Sequence, residues 1–128
     1  MTTLSQRMPE LGEGIAAHAR AVVAREEQAA ERFVIAPVLD AYRAAMYEAA
    51  RCGPFDRYEA PGLARLGEQF ISKVRFIGPR GGALMQIRWK RNADGHWRIA
   101  EAEYFPPGRS PWTGVGRPKL MRQENPDA

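Results

Sequence analysis

Apolar and polar residues alternate with the period of a strand in three consecutive runs between Gln69 and Phe105. The runs read FISKVRFIG, ALMQIRWKR and HWRIAEAEYF, separated by PRGG and NADG. Alternation with turn residues between the runs predicts an antiparallel meander of at least three strands. Asp94-Gly95 is the stronger turn signal, because Gly accepts the positive φ that closes a tight hairpin. A type I turn with Gly95 in a bulge would pair Asn92 with His96. Met85, Ile87 and Trp89 would then share one face with Trp97 and Ile99. The turn Gly78 to Gly82 sets its register less firmly; opposing Phe76 to Met85 and Val74 to Ile87 keeps one apolar face running across all three strands. A slip of one residue would bring Lys73 and Arg75 onto that face, at a large desolvation cost.

Helical spacing dominates the first half. Leu11, Ile15, His18 or Ala19, Val22 and Val23 form one stripe, which Phe33 and Val34 could extend. Pro9 suits a first helical turn, whereas Gly12 and Gly14 weaken the start. Pro37 either kinks this helix or opens a second, whose stripe is Val38, Leu39, Tyr42, Ala45, Met46 and Ala49. Gly53 and Pro54 end it. Residues 55–60 read as a loop and residues 61–66 as a short helix. By spacing alone residues 61–77 could be a single helix, but the β-branched and aromatic content of Phe70 to Ile77 favours a strand. The pattern predicts an α+β fold, two main N-terminal helices packed on a curved antiparallel meander. Residues 1–9 would be a flexible N-terminus, 10–105 one domain, and 106–128 a Pro- and Gly-rich basic tail in which Trp112 favours docking at an interface.

Parity along the strands predicts the opposite face of the sheet. It gathers Lys73, Arg75, Gln86, Arg88, Lys90, His96, Arg98 and Tyr104, with no acid pointing the same way. Net charge is a modest +4, but unevenly placed. Residues 1–68 carry eight Arg and ten acids, whereas residues 69–128 carry eleven Lys or Arg and five acids. The asymmetry favours an anionic partner for the second half, nucleic acid or an acidic protein. A solvated sheet face is the plainer account of the same residues.

Candidate chemistry is sparse. Cys52 is the single cysteine, so an internal disulfide and a thiolate metal site are excluded, and it reads as a half-buried structural thiol. His18 and His96 lie in separate elements and give no metal-ligand spacing; His18 falls on the core stripe of its helix. No Walker-type loop follows the glycines at 78–82, and Ser5, Ser72 and Ser110 lack a nucleophile-elbow context. No cofactor is expected. Glu101 and Glu103 are the one carboxylate pair with a catalytic look. On a regular strand they point the same way, roughly 7 Å apart. By parity they share the apolar face of Trp97, Ile99 and Phe105, where two acids at a pocket mouth could serve as general acid or base. Asp40 and Tyr42 could line the same pocket. The simpler alternative is that the strand outruns the core and both acids meet water. The N-terminus lacks a signal-peptide pattern and no stretch is long enough to span a membrane, so the cytoplasm is the expected compartment.

Helices first, then a hairpin-rich sheet closing on Asp94-Gly95-His96-Trp97-Arg98-Ile99, resembles the end of NTF2-like (cystatin-like α+β) domains, which often finish with a Gly-x-Trp-[Arg/Lys]-Ile strand. The resemblance covers about the last third of the domain. It implies a conical pocket between helices and sheet, used for small-molecule chemistry or for dimerisation. The leading expectation is a non-enzymatic binding or accessory module that recognises an anionic partner through Lys73, Arg75, Arg88, Lys90, His96, Arg98 and Tyr104. The alternatives are a pocket dehydratase, isomerase or hydrolase using Glu101 or Glu103, and a structural subunit of a homodimer or larger complex.

Overall fold

The computed structural model describes residues 9–106; residues 1–8 and 107–128, with Trp112, lie outside the described residues. Helix α1 (Pro9–Val23), a short α2 (Glu27–Glu31) and a 3-10 turn (Ala36–Val38) lead into α3 (Leu39–Ala50). Four strands follow: β1 (Arg57–Leu66), β2 (Gln69–Gly78), β3 (Gly81–Arg91) and β4 (Trp97–Phe105). They form one antiparallel sheet in sequence order, and the chain is α+β as its pattern predicts.

The apolar stripes meet where expected. Leu11, Ile15, His18 and Ala19 of α1 and Tyr42 and Ala49 of α3 are buried over Val74, Phe76, Met85, Ile87, Trp89, Trp97 and Ile99. Each large apolar side chain buried there contributes roughly 1.5–3 kcal/mol. The β3–β4 turn matches its expectation: the Asn92 amide donates to the His96 carbonyl at 2.8 Å, Gly95 has φ +85°, and the Asp94 carboxylate accepts from the His96 amide at 2.9 Å.

Three expectations need correction. The first helical stripe does not run on to Phe33. It stops at Val23, where Arg25 takes a left-handed φ of +60° and the Glu26 amide reaches back to the Ala21 carbonyl. This frees Phe33 to Ile35 to meet β4: the Ile99 amide donates to the Phe33 carbonyl at 2.6 Å and the Ile35 amide to the Ile99 carbonyl at 3.1 Å. Second, residues 57–66 are a strand, not a loop with a short helix. β1 is an edge strand with a register shift between Glu59 and Gly62, so Ala60 and Pro61 together stand against Val74, one residue more than regular pairing needs. A proline without an N–H is tolerated at such a bulge on an edge. Third, the β2–β3 hairpin is tighter. Gly78 pairs with Gly81, placing Val74 opposite Met85 and Phe76 opposite Ala83. The register moves by two residues, which leaves every side chain on its expected face.

Candidate functional site

β4 departs from regular alternation once, and that departure reorganises both candidate sites. Trp89 pairs with Ile99, but Arg88 pairs with Glu101, leaving Ala100 as an extra residue on β4. One extra residue reverses the facing of everything beyond it. Ala102 and Tyr104 therefore turn towards the helices, opposite Ile87 and Met85, while Glu101 and Glu103 turn outward, opposite Arg88 and Gln86. The expected carboxylate pair at a pocket mouth is not formed; both glutamates are exposed on the outer face. Tyr104 leaves that face, and its hydroxyl lies 3.3 Å from Cys52 Sγ, a hydrogen bond that raises the phenol's pKa. The signal in the sequence was the conflict itself: two acids on core parity, next to an Ala and a Tyr on solvent parity.

The outer face keeps the remaining predicted residues but not their freedom from acids. Cross-strand rows run Glu59–Arg75–Leu84, Gly62–Lys73–Gln86–Glu103 and Ala64–Ile71–Arg88–Glu101. Arg75 Nη1 donates to Glu59 Oε1 at 3.1 Å, and Arg88 Nε donates to Glu101 Oε1 at 3.1 Å. Arg88 also donates to the Gln69 side chain at 2.5 Å. Towards the β3–β4 turn the compensation runs out. Lys90 stands directly opposite Arg98. Arg98 reaches Asp94 only at 4.0 Å, and Lys90 forms no ion pair among the described residues. His96 is exposed in the turn beside them.

On the other side of the sheet, His18 lies among the rings of Phe33, Tyr42 and Trp89, with centroids 5.8–6.2 Å away. His18 Nε2 and the Tyr42 hydroxyl are 2.7 Å apart and both residues are buried. Burial lowers the His18 pKa to about 4. Burial, aided by the charge of Glu31, raises that of Tyr42. Neither group titrates near neutrality, so the pair is poorly tuned for proton transfer there. Beside it, the Trp89 indole N–H donates to Ser72 Oγ at 3.2 Å.

A groove of about 830 Å³ opens between the end of α1, α2, α3 and Gly53 to Phe55. Val22, Ala30, Met46, Ala50, Phe55 and the ring of Tyr42 line it, whereas Asp40, Glu101 and Glu103 do not. Its rim carries Arg25, Glu26, Glu27 and the pair Arg43–Glu31. Arg43 donates twice to that carboxylate at 2.9 Å, holding the Glu31 pKa below its ordinary value. No cluster of three or more His, Cys, Asp or Glu among the described residues could hold a metal ion, and no described helix is long and apolar enough to cross a membrane.

No family model and no curated protein matches the chain. Solved structures do. An NTF2-like protein of unknown function from Silicibacter pomeroyi matches with a TM-score of 0.57, covering 81% of this chain and 98% of its own at 16% identity. An NTF2-like protein of unknown function from Shewanella baltica matches with a TM-score of 0.58, covering 82% and 97% at 9% identity. Identity this low carries architecture and not activity. Helices, sheet order and these matches together show that the chain has the NTF2-like fold.

Proposed function

We propose that this chain is a non-enzymatic binding module that recognises an acidic protein surface through the outer face of its sheet. The observation that carries the proposal is the cross-strand pair Lys90–Arg98. Like charges directly opposite each other on one face of a sheet are destabilising, by about 0.2–1 kcal/mol against a neutral pair. Elsewhere on this face cations are set against acids, as Arg75 is against Glu59 and Arg88 against Glu101. An anionic group seated between Lys90 and Arg98, within reach of His96, would relieve the repulsion.

Two features favour an acidic protein over nucleic acid. Glu59, Glu101 and Glu103 share the face and would repel a continuous phosphate backbone. Among the described residues His96 is the one exposed ring at this end of the face for base stacking, because Trp89 and Trp97 are buried and Tyr104 faces the helices. The test is a salt titration of binding to a Glu-rich peptide and, separately, to a single-stranded oligonucleotide. Peptide affinity should fall as salt rises, and Arg98→Glu should weaken it roughly tenfold, about 1.4 kcal/mol. Tighter binding of the oligonucleotide, or peptide binding indifferent to Arg98→Glu, would overturn the reading.

A further inference from the structure

Beside the Lys90–Arg98 pair, the outer face carries a third group able to hold positive charge. The Asn92 amide donates to the His96 carbonyl at 2.8 Å, which carries the β3–β4 ladder one step past Arg91–Trp97. Lys90 and Arg98 lie two residues back along their strands, so by alternation His96 stands on their face, about 7 Å from Arg98. On the outer-face reading, we propose that His96 completes this site as a proton-dependent third cation. The acidic partner then presents two carboxylates about 7 Å apart, as an extended Glu-x-Glu segment does, and binds more tightly as pH falls below neutrality.

The geometry separates two seats for negative charge. Arg98 is fixed beside the turn: its Nη1 donates to the Trp97 carbonyl at 3.1 Å and its Nη2 lies 4.0 Å from Asp94 Oδ2. A guanidinium tethered in this way loses little freedom when an anion arrives. The first carboxylate sits between it and Lys90. The His96 ring is exposed and makes no side-chain hydrogen bond, ion pair or ring contact among the described residues, so it can meet the second.

Few charged groups face that ring. Asp94 and Arg98 flank it on its own segment, and Asp94 already accepts from the His96 amide at 2.9 Å. From β3 only Lys90 shares the side, because Asn92 is neutral and Arg91 points towards the helices, where it meets Glu10 at 3.7 Å. The helices themselves pack on the other face of the sheet. A protonated His96 would therefore set three cations against one acid, an excess that a second carboxylate relieves. Histidine is the side chain whose charge changes between about pH 5 and 8, whereas glutamates of a partner, with an ordinary pKa of about 4.3, stay charged there. The chain has two histidines, and His18 is buried with its pKa lowered to about 4, which leaves His96 to respond.

The experiment measures the affinity of the full chain for a blocked, histidine-free Glu-Ser-Glu peptide at about pH 8 and about pH 6, at one low ionic strength. The native chain should bind about two- to fivefold more tightly at the lower pH, the gain that one added exposed ion pair supplies. His96→Gln should abolish the change, and His96→Arg should hold the tighter affinity at both pH values. A peptide with its second Glu replaced by Gln should lose the pH dependence. Equal affinity at the two pH values, a dependence that survives His96→Gln, or one undiminished with the single-Glu peptide would overturn the proposal. Arg98→Glu separates it from the outer-face reading. Binding indifferent to that variant, or no binding at either pH, overturns both, whereas Arg98-dependent binding that ignores pH removes only the role of His96.

Discussion

His18 is the residue whose surroundings make the sharpest demand. Its ring is sealed among Phe33, Tyr42 and Trp89 and shares one hydrogen bond with the Tyr42 hydroxyl. The native pKa lies near 4 against 6.5 for a free histidine. Between those values the unfolded chain takes up a proton that the native chain refuses. Stability therefore falls as pH drops through that window, by on the order of 3 kcal/mol once the lower pKa is passed. Urea unfolding at about pH 7 and about pH 4.5 should show the loss, and His18→Gln should flatten the dependence. An unchanged slope in that variant would assign the acid sensitivity to other groups. Tyr42→Phe should cost about 1–3 kcal/mol at neutral pH, because a buried imidazole nitrogen loses its partner. The sequence placed His18 on a core stripe, but its hydroxyl partner is 24 residues away on another helix, a distance no local pattern spans.

The bulge at Ala100 is decisive among the elements of the fold. Deleting Ala100 would restore strict alternation and turn Glu101 and Glu103 towards the helices in place of Ala102 and Tyr104. Two carboxylates without partners would then be desolvated, a change large enough to abolish cooperative unfolding. Circular dichroism melts of the deletion should show no transition, whereas Ala100→Gly should retain one. β2, β3 and the start of β4 were legible because each alternates against a buried face and the Asp94-Gly95 turn fixes one register. β1 was not. It lies at the edge, is half exposed on both faces, and carries Ala60 and Pro61 in a bulge, so no period-2 signal survives. The close approach of Gly78 to the Pro54 carbonyl was equally hidden, since it joins a hairpin to a loop far away in the chain. A methyl group on Gly78 would run into that backbone, whereas one on Gly14 of α1 would meet the Trp89 ring at an ordinary 3.6 Å. Gly78→Ala should therefore destabilise the protein, while Gly14→Ala should raise its stability by about 0.5–1 kcal/mol through helix propensity. Denaturation midpoints of the two variants moving the same way would contradict this packing.

For the whole molecule, fold class followed from the order of the periodicities: helical spacing over the first half, strand spacing over the second. The resemblance to NTF2-like domains rested on the turn and strand at 94–99, and two solved structures share that architecture. The charge asymmetry was also legible, but its distribution was not. Expected freedom from acids depended on strand parity, and one extra residue in β4 brought Glu101 and Glu103 onto the outer face. The least compensated end of that face is at Lys90 and Arg98, where Asp94 meets Arg98 only at 4.0 Å, and the functional reading now rests there. Lys90→Glu separates binding from folding most directly. It replaces a cross-strand repulsion with an attraction, so the account predicts a gain of about 0.2–1 kcal/mol in unfolding free energy. The same variant should bind a Glu-rich peptide at least tenfold more weakly than the native chain at low salt. Stability and affinity moving in these opposite directions would establish the outer face as an anion-recognition surface. A variant that loses stability, or that keeps its affinity, would show that Lys90 and Arg98 are no more than a solvated edge of the sheet.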